Sequence, residues 1–130
     1  MMRLDHVQLA MPPGGEERAR AFFSGILGMR EEEKPVPLSG RGGAWFRTGG
    51  AVLHLGVEEG FRPQRKAHPA FLVGDLEALA GRLAAADHAV EWDEALPGRR
   101  RFYSADPFGN RIEFIADGDG FSQEDQQDHG

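Results

Sequence analysis

The stretch that organises this chain is Asp106-Pro-Phe-Gly-Asn-Arg-Ile-Glu113-Phe-Ile, residues 106–115. Its first half has the residue types typical of a turn, because proline presets φ for the second residue of a turn, and glycine and asparagine tolerate the positive φ that closes it. The second half alternates, so Ile112 and Phe114 face one side of a predicted strand while Arg111 and Glu113 face the other. The pattern predicts a hairpin whose last strand presents the Glu113 carboxylate opposite the core.

Composition limits the kind of protein that can surround this hairpin. The chain has 130 residues, 40% of them hydrophobic, which is enough for the core of one domain. It has no cysteine, so disulfides and thiolate ligands are excluded, and any metal site must use His, Asp or Glu. The formal charge of −6 argues against nucleic-acid binding, which needs a basic face.

No apolar run approaches the roughly 20 residues that span a bilayer, and the first residues lack the layout of a signal peptide. We therefore expect a cytoplasmic protein with no membrane partner.

The first half of the chain alternates, then becomes helical, then alternates again. Residues 3–11 place His6 and Gln8 opposite the more apolar side of a predicted strand. A helical period follows from Glu16, with Gly28 as its stop. Strands at 44–48 and 51–57 flank a Gly-Gly turn, and His54 lies opposite the apolar side of the second strand.

The second half repeats this order. A strand at 67–73 carries His68 on its less apolar side, Asp75 is a good N-cap for a helix at 76–86, and short strands follow at 90–93 and 101–105. His54 follows His6 by 48 residues (54 − 6), and Glu113 follows His68 by 45 (113 − 68). These matched spacings indicate an internal duplication. Residues 117–130 are rich in Asp, Gln and Gly, and predict a disordered acidic tail.

The chain resembles the glyoxalase, bleomycin-resistance and extradiol-dioxygenase superfamily, also called vicinal oxygen chelate proteins. The resemblance covers about residues 3–116 and rests on Asp5-His6-Val7-x-Leu9, Phe22-Phe23 through Leu27-Gly28, Leu53-His54-Leu55, His68-x-Ala70-Phe71-x-Val73-x-Asp75-Leu76, and Tyr103-x-x-Asp106-Pro107-x-Gly109-Asn110-x-Ile112-Glu113. It implies an α+β domain over residues 1–116, built from two βαβββ modules (about 3–57 and 67–116) whose curled mixed sheets surround a shared cleft.

The resemblance also implies a divalent metal ion, Zn, Ni, Mn, Fe or Co, bound by His6, His54, His68 and Glu113. Three imidazoles and a carboxylate suit these ions, and in an octahedral shell they leave two adjacent positions for substrate oxygens. By analogy with the family, Glu113 would also act as a general base. Taken singly, His6 and His54 are better explained as hydrogen-bonded strand histidines; the agreement of four positions reverses this preference and favours the metal site.

The substrate is less constrained. Tyr103 matches a phosphonate-contacting tyrosine of fosfomycin-resistance relatives and is a candidate catalytic residue, although Asp93 stands where those relatives have lysine. Arg101 lies in a basic cluster that either binds an anionic substrate or is simply solvated. Trp45 and Gln8 are further candidates for substrate contact, and filling the core is the alternative role for Trp45.

Two functions remain open. The first is a metal-dependent lyase of glyoxalase type or an extradiol-type dioxygenase, acting on a small oxygen-rich molecule. The second is a metal-free protein that sequesters a small molecule such as a bleomycin-type antibiotic. The full set of ligand positions favours the enzyme, and the resemblance implies a homodimer.

Overall fold

A computed structural model describes residues 1–118, so most of the predicted tail, residues 119–130, lies outside the described residues. The chain divides into two compact units. The first comprises Met1–Arg65 together with Asp106–Asn110, and the second comprises Lys66–Ala105 together with residues 111–118. No helix among residues 1–118 is long and apolar enough to cross a membrane.

The two units repeat one arrangement of strands. The first contains β1 (Val7–Met11), α1 (Glu16–Ala19) continued by a π-helical segment (Arg20–Ile26), β2 (Arg30–Glu32), a 3-10 helix (Val36–Arg41), β3 (Ala44–Thr48) and β4 (Ala51–Val57). The second contains β5 (Ala70–Val73), α2 (Leu76–Ala85), β6 (Glu91–Asp93), β7 (Arg101–Ala105) and β8 (Arg111–Ala116). The sheet orders are β1-β4-β3-β2 and β5-β8-β7-β6. In each sheet the first and last strands of the module are parallel neighbours, which confirms the predicted α+β fold of two βαβββ modules.

The core of the first unit lies between its sheet and its helix. Phe46 and Leu53 are fully buried, and the Phe23 ring lies 5.4 Å from the Phe46 ring. The π-helical segment places Phe22 and Phe23 side by side, both buried, and Leu27 N–H donates to the carbonyl of Phe22, five residues earlier. The helix stops at Gly28, whose φ of 75° is unfavourable for a residue with a side chain, as the sequence predicted.

The second unit packs its helix on its sheet in the same way. Asp75 caps α2 by accepting a hydrogen bond from Ala78 N–H at 3.1 Å, which confirms its predicted role. The apolar stripe of the helix is buried, as are Phe102 and Phe114, whose rings lie 5.4 Å apart on adjacent strands. This core fixes the opposite face of the sheet, where Glu113 lies.

The Asp106–Asn110 turn is a hydrogen-bonded unit. Asp106 Oδ1 accepts from the backbone N–H groups of Phe108 and Asn110, both at 2.9 Å. Gly109 has a φ of 92°, whereas Asn110 does not have the positive φ that the sequence suggested and instead uses its side chain. Asn110 Nδ2 donates to the carbonyl of Ala10 and to Asp106 Oδ2. Burial raises the pKa of Asp106, and the hydrogen bonds from Asn110 and Phe108 oppose that shift.

Several boundaries differ from the sequence predictions. β2 was not predicted from the sequence, because Arg30, Glu31 and Glu32 show no apolar alternation at this exposed edge of the sheet. The first strand of each module begins later than predicted, so His6 directly precedes β1 and His68 lies two residues before β5, instead of lying within these strands. For β5 the reason is Pro69, which has no N–H for the ladder.

Candidate functional site

The strand registers explain the matched spacings of the sequence. In the first unit, His54 on β4 is the partner of Gln8 on β1, two residues after His6. In the second, Glu113 on β8 is the partner of Ala70 on β5, two residues after His68. Each module therefore places one histidine before its first strand and a second polar residue on the neighbouring strand, on the face opposite the core.

An aromatic residue lies beside each of these polar residues. Trp45 on β3 is the partner of His54, and Tyr103 on β7 is the partner of Glu113. Trp45 thus lies on the face opposite Phe46 and does not fill the core of its unit. The two modules present corresponding sets of side chains with different chemistry.

In the first unit, His54 is sandwiched between two rings. The His6 ring lies 4.1 Å from it, tilted by 21°, and the Trp45 ring lies 3.8 Å from it, tilted by 1°. His54 is 9% exposed. Burial, followed by the nearby charge of His6, lowers the pKa of His54, so the neutral imidazole is favoured.

His6 is more open. Its Nδ1 lies 2.8 Å from Asp5 Oδ2, and its side chain is 39% exposed. A ring nitrogen that faces a carboxylate oxygen carries the proton, which leaves the Nε2 lone pair of His6 available to a ligand. The hydrogen bond from His6 also lowers the pKa of Asp5.

Gln8 is exposed beside this stack and lies over Gly56. A Cβ built on Gly56 would approach Gln8 Nε2 to 2.6 Å. The absence of a side chain at Gly56 therefore lets Gln8 rest against the sheet.

In the second unit, Glu113 is buried and both of its oxygens are engaged. Its side chain is 6% exposed, Oε1 lies 3.0 Å from His68 Nε2, and Oε2 accepts from Arg101 Nη1 at 3.1 Å. Arg101 Nη2 donates to Asp93 Oδ2 at 3.3 Å. Burial acts to lower the pKa of Arg101, but the hydrogen bond to Glu113 and the two nearby carboxylates raise it above its ordinary value.

The contact between His68 and Glu113 requires a further proton or a metal ion. His68 Nδ1 lies 2.8 Å from the carbonyl oxygen of Lys66, which can only accept, so Nδ1 carries a proton. In the neutral ring, Nε2 then holds a lone pair that faces Glu113 Oε1 at 3.0 Å. Two acceptors at this distance repel unless a second proton or a metal ion lies with them.

Tyr103 completes this cluster. Its ring meets the His68 ring edge to face, with centres 5.4 Å apart, and the guanidinium carbon of Arg111 lies 3.9 Å from its centre. The Tyr103 hydroxyl is thus carried by a ring that two neighbours hold in place.

The residues present suit a divalent metal ion in their chemistry. His68 offers a lone pair whose tautomer is set by a backbone carbonyl, and Glu113 offers an anionic oxygen beside it. Within either unit, the described residues contain no group of three or more His, Asp or Glu side chains that could hold a metal ion. His68 and Glu113 are brought together in one unit, and His6 and His54 in the other.

Some residues around the predicted site were not found from the sequence. Asp93, which engages Arg101, and Arg111, which covers Tyr103, share the polar face of the second sheet with Glu113. For Arg111 the signal was present, because alternation along 111–116 places it on the side of Glu113. For Asp93 the strand register was needed, since it lies opposite Arg101 across a hairpin loop of seven residues, 94–100.

A cavity of about 560 Å³ in the second unit lies along the loop between β6 and β7. Arg101 lines it, but the other predicted site residues of the unit do not. The cavity therefore adjoins the cluster of His68, Tyr103 and Glu113 through Arg101, but these three residues do not line it.

Comparisons with known proteins agree with this architecture. Residues 3–114 match the model of the Glyoxalase/Bleomycin resistance protein/Dioxygenase superfamily. A glyoxalase family protein from Bacillus anthracis is 46% identical, with a TM-score of 0.85 over 89% of this chain and 95% of that one.

More distant structures share the fold. The fosfomycin resistance protein FosX from Listeria monocytogenes is 16% identical, with a TM-score of 0.73 over 97% of this chain and 98% of that one. Lactoylglutathione lyase from Agrobacterium tumefaciens is 19% identical, with a TM-score of 0.63 over 85% of this chain and 91% of that one. No curated protein matches the sequence.

Proposed function

Because the chain belongs to the glyoxalase/bleomycin resistance protein/dioxygenase superfamily, we propose that it is a metal-dependent enzyme that binds a small, oxygen-rich substrate. The superfamily contains metalloenzymes as well as bleomycin-binding proteins, so membership alone does not choose between them. The proposed reaction class is that of a glyoxalase-like lyase or an extradiol-type dioxygenase.

The observation that carries this proposal is the pair formed by His68 and Glu113. A buried carboxylate oxygen faces an imidazole nitrogen at 3.0 Å, while the other imidazole nitrogen is held by the Lys66 carbonyl. A backbone carbonyl that sets the tautomer of a histidine is the usual support of a metal ligand. A solvated surface glutamate would have none of these features.

The proposed ligands are His68 and Glu113 together with His6, supplied by the same chain or by a partner copy. His54 is the fourth residue predicted from the sequence. Imidazole and carboxylate donors are compatible with Zn, Ni, Mn, Fe or Co, and the identity of the ion is left to experiment.

When bound, such an ion supplies Lewis acidity toward adjacent oxygens of a substrate. The chain supplies the rest. Arg101 holds Oε2 of Glu113 and so orients Oε1, and Asp93 balances the charge of Arg101. Glu113 is the proposed proton acceptor, since a carboxylate on a rigid strand is well placed for general base catalysis.

Three side chains are proposed to contact the substrate. The Tyr103 hydroxyl would donate a hydrogen bond to an anionic group, and Trp45 would offer its exposed edge to apolar parts. Gln8 lies on the same face as Trp45 in the first unit and offers an amide. A contribution of Arg101 to anion binding would compete with its two carboxylate partners.

We further propose a homodimer in the cytoplasm. The family resemblance motivates the dimer, and in a C2 dimer each chain would supply equivalent residues to two sites. Light scattering at micromolar concentration measures the assembly directly, and a monomer would exclude it.

A melting experiment tests the metal function. Metal-stripped protein should melt at a higher temperature with Mn, Ni, Co or Zn, because an ion bound only by the folded state adds about 2.7 kcal/mol at a hundredfold excess over Kd. Glu113→Gln should lose most of this gain, since a neutral amide replaces the anionic ligand. The matched control is Glu91→Gln, which removes one charge from an exposed residue on the same face of the sheet, where Glu91 is the partner of Tyr103. This variant should keep the increase in melting temperature that the metal ion gives. Identical melting with and without every ion would favour the metal-free binding protein instead.

A further inference from the structure

We propose that His54 is a positioning residue that holds the His6 ring by stacking and does not itself bind the metal ion. This inference rests on the proposed metal function and revises the role that the sequence suggested for His54. The observations that carry it all lie within the first unit.

The first observation is the mutual orientation of the two imidazoles. A metal ion bonded to an imidazole lies in the ring plane, about 2.1 Å from the nitrogen. The His6 and His54 rings are 4.1 Å apart and tilted by only 21°. Planes at this separation and tilt meet roughly 10 Å from the rings, so one ion at bonding distance cannot lie in both planes.

The second observation is that His54 is fixed from its other side. Trp45 and His54 are partners on adjacent antiparallel strands, and their rings are parallel at 3.8 Å. His54 is 9% exposed, and both faces of its ring are covered. Turning His54 to share an ion with His6 would break the stack with Trp45, so the packed strand pair favours the stacked orientation.

The third observation is that His6 needs such support. It precedes β1, outside the ladder of hydrogen bonds that holds the strand. Its hydrogen-bond partner is Asp5, whose side chain is 94% exposed and therefore a weak restraint. The flat surface of His54 orients the His6 ring and leaves its Nε2 lone pair accessible, which is what a metal ligand requires.

Two substitutions at position 54 separate stacking from ligation. His54→Phe keeps a planar ring between His6 and Trp45 but removes both nitrogens. His54→Ala removes the ring. A ligand role predicts that both substitutions harm metal binding equally, whereas a positioning role predicts that phenylalanine preserves it.

The test is competition between metal-stripped protein and a chromophoric chelator for Zn and for Mn. His54→Phe should bind within about threefold of wild type, and His54→Ala about 10- to 100-fold more weakly, the range typical of residues that orient a ligand. His6→Ala should lose more than about 100-fold, since it removes a ligand itself. Circular dichroism and a thermal melt without metal establish that each variant is folded.

The outcomes are distinct. If His54→Phe binds as weakly as His6→Ala, His54 is a ligand and the inference fails while the metal function stands. If His54→Ala binds like wild type, the stack does not position His6 and the inference also fails. If wild type binds neither ion, the proposed function fails and the inference with it.

A second measurement needs no substitution at position 54. In 15N-labelled wild type, Zn should move the chemical shift of a His6 ring nitrogen to the value of a metal-bound nitrogen. The chemical shifts of the His54 ring nitrogens should not move to that value. A metal-bound His54 nitrogen would overturn the inference even if His54→Phe did not fold.

Discussion

Asn110 offers a sharp test of how the chain holds its central turn. The residue is fully buried, and its side chain makes three hydrogen bonds. Nδ2 donates to the Ala10 carbonyl at 2.8 Å and to Asp106 Oδ2 at 2.9 Å, and Oδ1 accepts from Gln64 N–H at 3.0 Å. Asn110→Ala would remove all three and leave their partners to find water.

The cost follows from these contacts. Three hydrogen bonds at about 1 kcal/mol each give about 3 kcal/mol, and a partner left unsatisfied adds about 1–3 kcal/mol. We therefore expect Asn110→Ala to lose about 4–6 kcal/mol, a large part of the about 5–15 kcal/mol typical of a domain. At this chain length 1 kcal/mol corresponds to about 4 °C, so the melting temperature should fall by about 16–24 °C.

Urea unfolding followed by tryptophan fluorescence measures the free energy of unfolding. The matched control is Gln64→Ala, which keeps the backbone N–H that bonds to Asn110 and changes only an exposed side chain. It should stay within about 0.5 kcal/mol of wild type. A loss below about 1 kcal/mol for Asn110→Ala would refute this account of the turn, because even one buried hydrogen bond contributes that much.

Two further predictions concern the contact between α1 and the loop before β3. Gly43→Ala should destabilise the protein by more than about 2 kcal/mol, because Gly43 has a φ of 81° and a Cβ there would overlap the Leu55 carbonyl oxygen; urea unfolding like that of wild type would contradict it. Glu16 accepts a hydrogen bond from Gly43 N–H at 2.8 Å, and this bond is the main cause that lowers the Glu16 pKa below its ordinary value of 4.5. Its contribution to stability is therefore present above pH 4.5 and lost as pH falls through the lowered value, so the advantage of wild type over Glu16→Gln should shrink on acidification. An advantage that is equal at pH 7 and pH 3 would show that the charge of Glu16 is irrelevant.

Much of the fold could be predicted because alternation and turn chemistry are local signals. Ile112 and Phe114 are buried and Glu113 lies opposite them, as alternation required. β2 could not be predicted in this way, since the exposed edge strand Arg30–Glu32 is polar throughout and is defined by pairing with β3. The π-helical segment was also not predicted. An apolar stripe indicates a helix but does not determine whether each backbone N–H donates to the carbonyl four or five residues earlier.

The candidate site likewise has features that local sequence patterns predict and features that depend on tertiary contacts. Alternation and the internal repeat predict that His54 and Glu113 lie on the face of their sheets opposite the core. The stack of His54 between His6 and Trp45 could not be predicted, because it depends on side-chain rotamers and on the register between β3 and β4. The partners of Arg101 depend on tertiary contacts for the same reason.

The central claim, that the chain is a metalloprotein with Glu113 as a ligand, is tested most directly by metal content. Wild type and Glu113→Gln would be loaded with Zn or Mn, dialysed against metal-free buffer and measured by elemental mass spectrometry. The account predicts that wild type retains about one ion per chain, and that Glu113→Gln retains far less. Wild type without a retained ion, or equal retention by both proteins, would contradict it.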